Sequence, residues 1–183
     1  MIIVIVVVVI LVLLFLYVMN TYNGLVKLKN MVENAWAQIN VQLKRRTDLI
    51  PNLVETVKGY AKHESETFEK VIQARNMAAG AATVEDSIQA NNQLTGALKT
   101  LFAVAEAYPE LKANTNFIQL QKDLKETEDK IMYARQFYND IVTKFNTRIA
   151  MFPANIIAGM FNFTKQTLFE IADADREVPQ VKF

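Results

Sequence analysis

The sequence predicts an all-helical protein that begins with a membrane-spanning helix. Three observations carry that expectation. The first nineteen residues, MIIVIVVVVILVLLFLYVM, hold no charge and no strong polar group, and the first charged side chain is Lys27. Only five Gly and four Pro occur among 183 residues, so few positions resist a helix. Beyond the opening run, apolar residues recur at spacings of three and four, which gathers them on one helical face.

At 1.5 Å per residue the opening run reaches about 28 Å, close to the hydrocarbon thickness of a bilayer. Val and Ile are moderate helix formers in water. In lipid, however, the backbone must satisfy its own hydrogen bonds, which leaves a helix. A cleaved export signal would show a basic start, a shorter apolar stretch and a small-residue cleavage site. Here the apolar residues begin directly after Met1, and the exit is Val18-Met19-Asn20-Thr21-Tyr22. No Cys is present to carry a lipoprotein anchor. An uncleaved anchor over residues 1–20 is the expectation, with Tyr22 placed for the interfacial aromatic belt. Lys27, Lys29, Lys44, Arg45 and Arg46 outnumber Glu33 and Asp48 beyond it. The positive-inside rule then puts the N-terminus outside and the C-terminal part in the cytoplasm.

Residues 20–183 suffice for one domain with a core. Leu25, Leu28, Val32, Trp36, Ile39 and Leu43 form the first stripe, opposite Lys27, Lys29, Asn30, Glu33 and Asn34. Trp36, the only tryptophan, reads as a helix-interface anchor. Pro51 lacks a donor and disfavours helix at Ile50, so a turn near 47–48 is preferred, dividing helices 22–46 and 49–79. The stripe nevertheless runs on through Ile50, Leu53, Val57 and Tyr60. One long helix kinked at Pro51 is therefore the alternative. Gly59 inside the second helix suggests close packing.

Residues 78–83 are a small-residue link, and Thr83 opens T-V-E-D, an N-cap signal for a helix over 84–107. Pro109 starts a loop with a short turn. Thr115 or Asn116 is the expected cap of the longest clear helix, 116–152, with Phe117, Leu120, Leu124, Ile131, Tyr138, Ile141, Phe145, Ile149 and Phe152 along one face. Pro153 stops it. Residues 153–183 read as an amphipathic C-terminal segment followed by an extended tail.

Chemistry-bearing residues are sparse. The net charge of +1 gives no electrostatic case for nucleic acid. There is no Cys nucleophile and no Gly-rich phosphate loop, and His63 is the single histidine, without E-x-x-H or H-x-x-x-H spacing. No enzyme activity, metal or cofactor is expected. Lys44-Arg45-Arg46 reads first as a solvated helix end, where cations meet the negative pole of the dipole. Lipid headgroups are a weaker reading, because a helix of about 24 residues would hold the cluster roughly 36 Å from the membrane.

Several segments match a known family. They include Tyr22-Asn23-Gly24-Leu25-Val26, Asn34-Ala35-Trp36-Ala37-Gln38-Ile39, Val41-Gln42-Leu43-Lys44-Arg45-Arg46 and Asp48-Leu49-Ile50-Pro51-Asn52-Leu53-Val54. Further matches are Val57-Lys58-Gly59-Tyr60, Ala103-Val104-Ala105-Glu106-Ala107-Tyr108-Pro109 and Ala134-Arg135-Gln136-Phe137-Tyr138-Asn139. Over essentially its whole length the chain resembles the LemA proteins of bacterial membranes. The resemblance implies a single-span anchor followed by an up-and-down antiparallel four-helix bundle at the cell (inner) membrane. It implies no established catalytic activity.

The expected function is that of a membrane-tethered interaction or scaffold protein that self-assembles. The alternative is an accessory subunit presenting substrates to a membrane protease or other membrane enzyme. Expected partners are the lipid bilayer, a second copy of the chain and other membrane proteins. The candidate interaction surface comprises Lys44, Arg45 and Arg46 together with Ile156, Ile157, Met160, Phe161, Phe163, Leu168 and Phe169, because so much apolar surface must be covered.

Overall fold

The computed structural model describes residues 1–169; the tail expected at 176–183 lies outside them. Among the described residues all regular elements are helices: α1 (Ile2–Lys58), α2 (Ser65–Gly80), α3 (Val84–Glu106), α4 (Pro109–Lys112), α5 (Thr115–Ala150) and α6 (Ala154–Met160). The fold is all-α, as the composition predicts.

The preferred turn before Pro51 is absent. α1 continues through the proline to Lys58, which is the fused-helix alternative. The reason is local. Pro51 has no N–H to give the carbonyl of Thr47, four residues back. That carbonyl instead accepts a hydrogen bond of 3.1 Å from Arg75 Nε, on α2. With the orphan acceptor satisfied, the unbroken apolar stripe decides the conformation. Gly59 lies past the end of α1, in the turn before α2, and not inside a helix. A Cβ there would meet Thr56 O at an ordinary 3.4 Å, so close packing is not its role.

The described chain groups into two compact units. One holds residues 38–135 and Phe169. Ile50, Leu53, Val54 and Val57 of α1 are buried there with Phe68 and Val71 of α2, Leu94, Leu98 and Leu101 of α3, and Phe117 and Leu124 of α5. Each such side chain stabilises the fold by about 1.5–3 kcal/mol. Caps set the helix starts. Thr83 Oγ1 accepts from Asp86 N at 3.0 Å, as expected. α5 is capped by Asn114 rather than Thr115 or Asn116, its Oδ1 accepting from Phe117 N at 3.0 Å. The same amide donates to Tyr60 Oη at 2.9 Å, tying this cap to the turn after α1.

The other unit holds Met1–Ala37 and Gln136–Leu168. Its core includes Leu25, Val32 and Ala35 of α1, Tyr138, Ile141, Val142 and Phe145 of α5, and Ala154, Ile157 and Ala158 of α6. Trp36 packs on Tyr138 with ring centroids 5.6 Å apart. α6 ends in a reversal: Asn162 adopts φ 56°, Phe163 N donates to Ala158 O at 2.9 Å and Asn162 N to Gly159 O at 3.3 Å. This is a Schellman cap with asparagine at the left-handed position, which its short polar side chain tolerates. The chain then runs back along α5. Asn146 clamps Gln166 through two 2.9 Å hydrogen bonds, and Tyr138 Oη donates to Thr167 O at 2.8 Å.

Candidate functional site

The N-terminal part of α1 is the most distinctive surface. Residues 2–17 are all exposed, from Ile2 at 77 % to Tyr17 at 38 %, and no part of the run is buried by the rest of the chain. α1 is the one described helix long and apolar enough to cross a membrane. A contiguous apolar surface of this size is the mark of a protein–protein or membrane contact.

The expected basic cluster does not act as one surface. Lys44 is exposed and pairs with Asp48 at 3.4 Å, while Arg45 reaches Glu126 at 3.8 Å. Arg46 turns inward and is 3 % exposed. Its Nη2 donates to Thr95 Oγ1 at 2.8 Å and its Nη1 to Asn91 O at a long 3.5 Å. Nε lies 2.8 Å from Glu128 Oε1, an ion-pair contact without the alignment of a hydrogen bond. Burial pushes the Arg46 guanidinium below its usual value, against the attraction of Glu128. Burial likewise pushes the Glu128 carboxyl up, and the attraction of Arg46 and Arg135 does not offset it. Desolvation therefore outweighs pairing at both partners, although only Arg46 is fully buried and the Glu128 side chain stays 41 % exposed.

An open groove of about 760 Å³ adjoins this pair, lined by Arg46, Lys99, Lys122 and Lys125 with Phe102 and Ile118 among its apolar walls. No cluster of three or more metal-ligating side chains occurs among the described residues. His63 is exposed.

The seven expected apolar surface residues separate into three groups. Ile157 and Phe169 are each 3 % exposed and belong to the packed interior, Phe169 beneath Arg135, whose guanidinium carbon is 5.3 Å from the ring centroid. Phe163 and Leu168 are half-buried. Ile156, Met160 and Phe161 remain exposed. Met151 and Phe152 join them at 52 % and 79 % exposure and were not anticipated. Phe152 continues the stripe of α5, but the helix ends at Ala150, and the turn takes its ring out of the packed face.

These observations define an all-helical protein whose terminal helix is long and apolar enough to cross a bilayer. The chain belongs to the LemA family, whose sequence model matches residues 35–183. It is 28 % identical to Protein LemA of Metamycoplasma hominis, over 88 % of this chain and 74 % of that protein. Two magnetosome proteins of Paramagnetospirillum magneticum, MamQ 1 and MamQ 2, are 23 % identical over 81 % of this chain, which spans 64 % of their length.

Proposed function

We propose that this protein is a membrane-tethered helical interaction protein that self-assembles at the bacterial cell membrane, its body on the cytoplasmic side. The observation that carries the reading is the uncovered apolar run at the start of α1, continuous in one helix with residues that pack into a folded body. The excess of Lys and Arg beyond the run supports the orientation. Val41, Met132 and Tyr133 stand exposed on the body and offer apolar surface to a second copy. Tethering to a plane raises the effective concentration of such contacts, which offsets part of the cost of association.

Crosslinking of the full-length protein in native membranes tests the reading. A ladder of self-multimers is the expected result. A single band at the mass of the monomer, or one defined heterologous band without self-multimers, contradicts self-assembly.

A further inference from the structure

We propose that α6 and its flanks, residues 151–161, lie in the headgroup region of the same bilayer that α1 crosses, as a second, interfacial membrane contact. This rests on the membrane-tether reading and names a lipid-facing site that it does not require.

The first support is level. Tyr22 stands three residues beyond Met19, the last of the apolar run, a rise of about 4.5 Å. Phe161, immediately after α6, packs on Tyr22 with centroids 4.6 Å apart. Phe163 also packs on Tyr22, at 6.0 Å, and on Phe145 of α5, at 6.3 Å. Trp36 meets Tyr138, while Tyr22, lower on α1, reaches the later Phe145 of α5 through Phe163, so within this unit the two helices run antiparallel. Twelve residues back from Trp36 is Gly24, and twelve on from Tyr138 is Ala150, the end of α5. Both steps cover about 18 Å, so α5 ends level with Gly24. That is roughly 7.5 Å beyond Met19, a headgroup's depth from the hydrocarbon edge.

The second support is the character of the surface. Ala154, Ile157 and Ala158 are buried and hold α6 on the unit. Met151, Phe152, Ile156, Met160 and Phe161 are left between 48 % and 79 % exposed. No charged residue occurs from 149 to 164, while Arg148 and Lys165 bracket the stretch and are exposed. An apolar face with basic side chains at its margins suits the boundary between acyl chains and anionic headgroups. A bilayer is the favoured occupant because this patch touches, at Tyr22, the exit of the segment that already needs one.

The test uses full-length protein reconstituted in vesicles of phosphatidylethanolamine and phosphatidylglycerol. The chain has no Cys, so single cysteines at Val12, Lys125, Ile156 and Met160 can each carry an environment-sensitive fluorophore. All four positions are exposed, and helical circular dichroism checks each labelled fold. Quenching by lipids brominated at shallow or deep acyl positions then reads depth. Labels at Ile156 and Met160 should be blue-shifted and quenched by shallow bromines, Val12 by deep ones, and Lys125 by neither. If Val12 is quenched while Ile156 and Met160 show aqueous emission, the interfacial contact is wrong and the tether stands. Blue-shifted but unquenched labels at these two sites mean that protein covers the patch, which also overturns the proposal. If Val12 itself is unquenched, the tether reading fails and takes this one with it.

Discussion

Arg75 Nε donates a 3.1 Å hydrogen bond to the carbonyl oxygen of Thr47, the acceptor that Pro51 leaves without a helical partner. Two residues far apart in sequence thus repair one helix. Replacing Arg75 with Met should cost about 1–2 kcal/mol, since a part-buried acceptor loses its donor. In a Pro51→Ala background the cost should be smaller, because residue 51 then supplies an N–H of its own. A double-mutant cycle by chemical denaturation measures the difference. Equal costs in both backgrounds would show that Arg75 acts through something other than the proline.

Pro51 was a sound local signal for a turn, and the apolar phase from Leu43 to Val57 was a sound signal for continuity. Choosing between them required knowing that a guanidinium from another helix would arrive. Stripes such as Leu94, Leu98 and Leu101 were legible because period alone places them on a buried face. Arg46 was misleading for the opposite reason. Its neighbours Lys44 and Arg45 are exposed or nearly so, and it is the partners Thr95, Asn91 and Glu128, remote in sequence, that turn it inward. At the C-terminal segment, the sequence showed an excess of apolar side chains. It could not say that Ile157 is covered while Ile156 is not.

Glu128 supplies a pH signature. Burial holds its carboxyl above the usual carboxylate range, so the folded state keeps that proton more tightly than the unfolded chain. The contribution to stability is therefore full below the unfolded value and lost as pH rises through the folded one. Stability of the wild type relative to Glu128→Gln should fall as pH rises from strongly acid toward neutral. Glu66 and Glu126, held low by Lys70 and Lys130, work in the opposite sense but occur in both proteins and cancel. Arg46→Met should raise the Glu128 midpoint further in a carboxyl NMR titration, because it removes an attraction that lowers it. An unchanged or lower midpoint would show that the pair is not formed in solution.

Cap residues give a local test of the body. Thr83→Ala should cost about 1 kcal/mol through loss of the bond to Asp86 N. Asn114→Ala should cost more, about 1.5–2 kcal/mol, because the same side chain also reaches Tyr60. Denaturant midpoints at constant slope measure both. Equal losses would mean that the Tyr60 contact contributes nothing.

Deleting residues 1–20 should leave a soluble helical protein with a cooperative melt, because residues 2–17 are exposed and none of the deleted side chains belongs to the buried core. A molten or aggregated product would show that the body depends on that segment.

A cysteine in place of exposed Lys125 should resist membrane-impermeant thiol reagents in intact cells. Labelling without permeabilisation would reverse the proposed orientation.

Alkaline carbonate extraction of membranes holding the full-length protein tests the central claim, that α1 spans a bilayer. Inserting an arginine at the centre of a spanning helix costs roughly 2.5–3.5 kcal/mol, so Val8→Arg with Leu11→Arg serves as the control. The wild type should remain in the pellet and float with lipid, while the double-arginine protein is released. Release of the wild type into the carbonate supernatant would contradict the account.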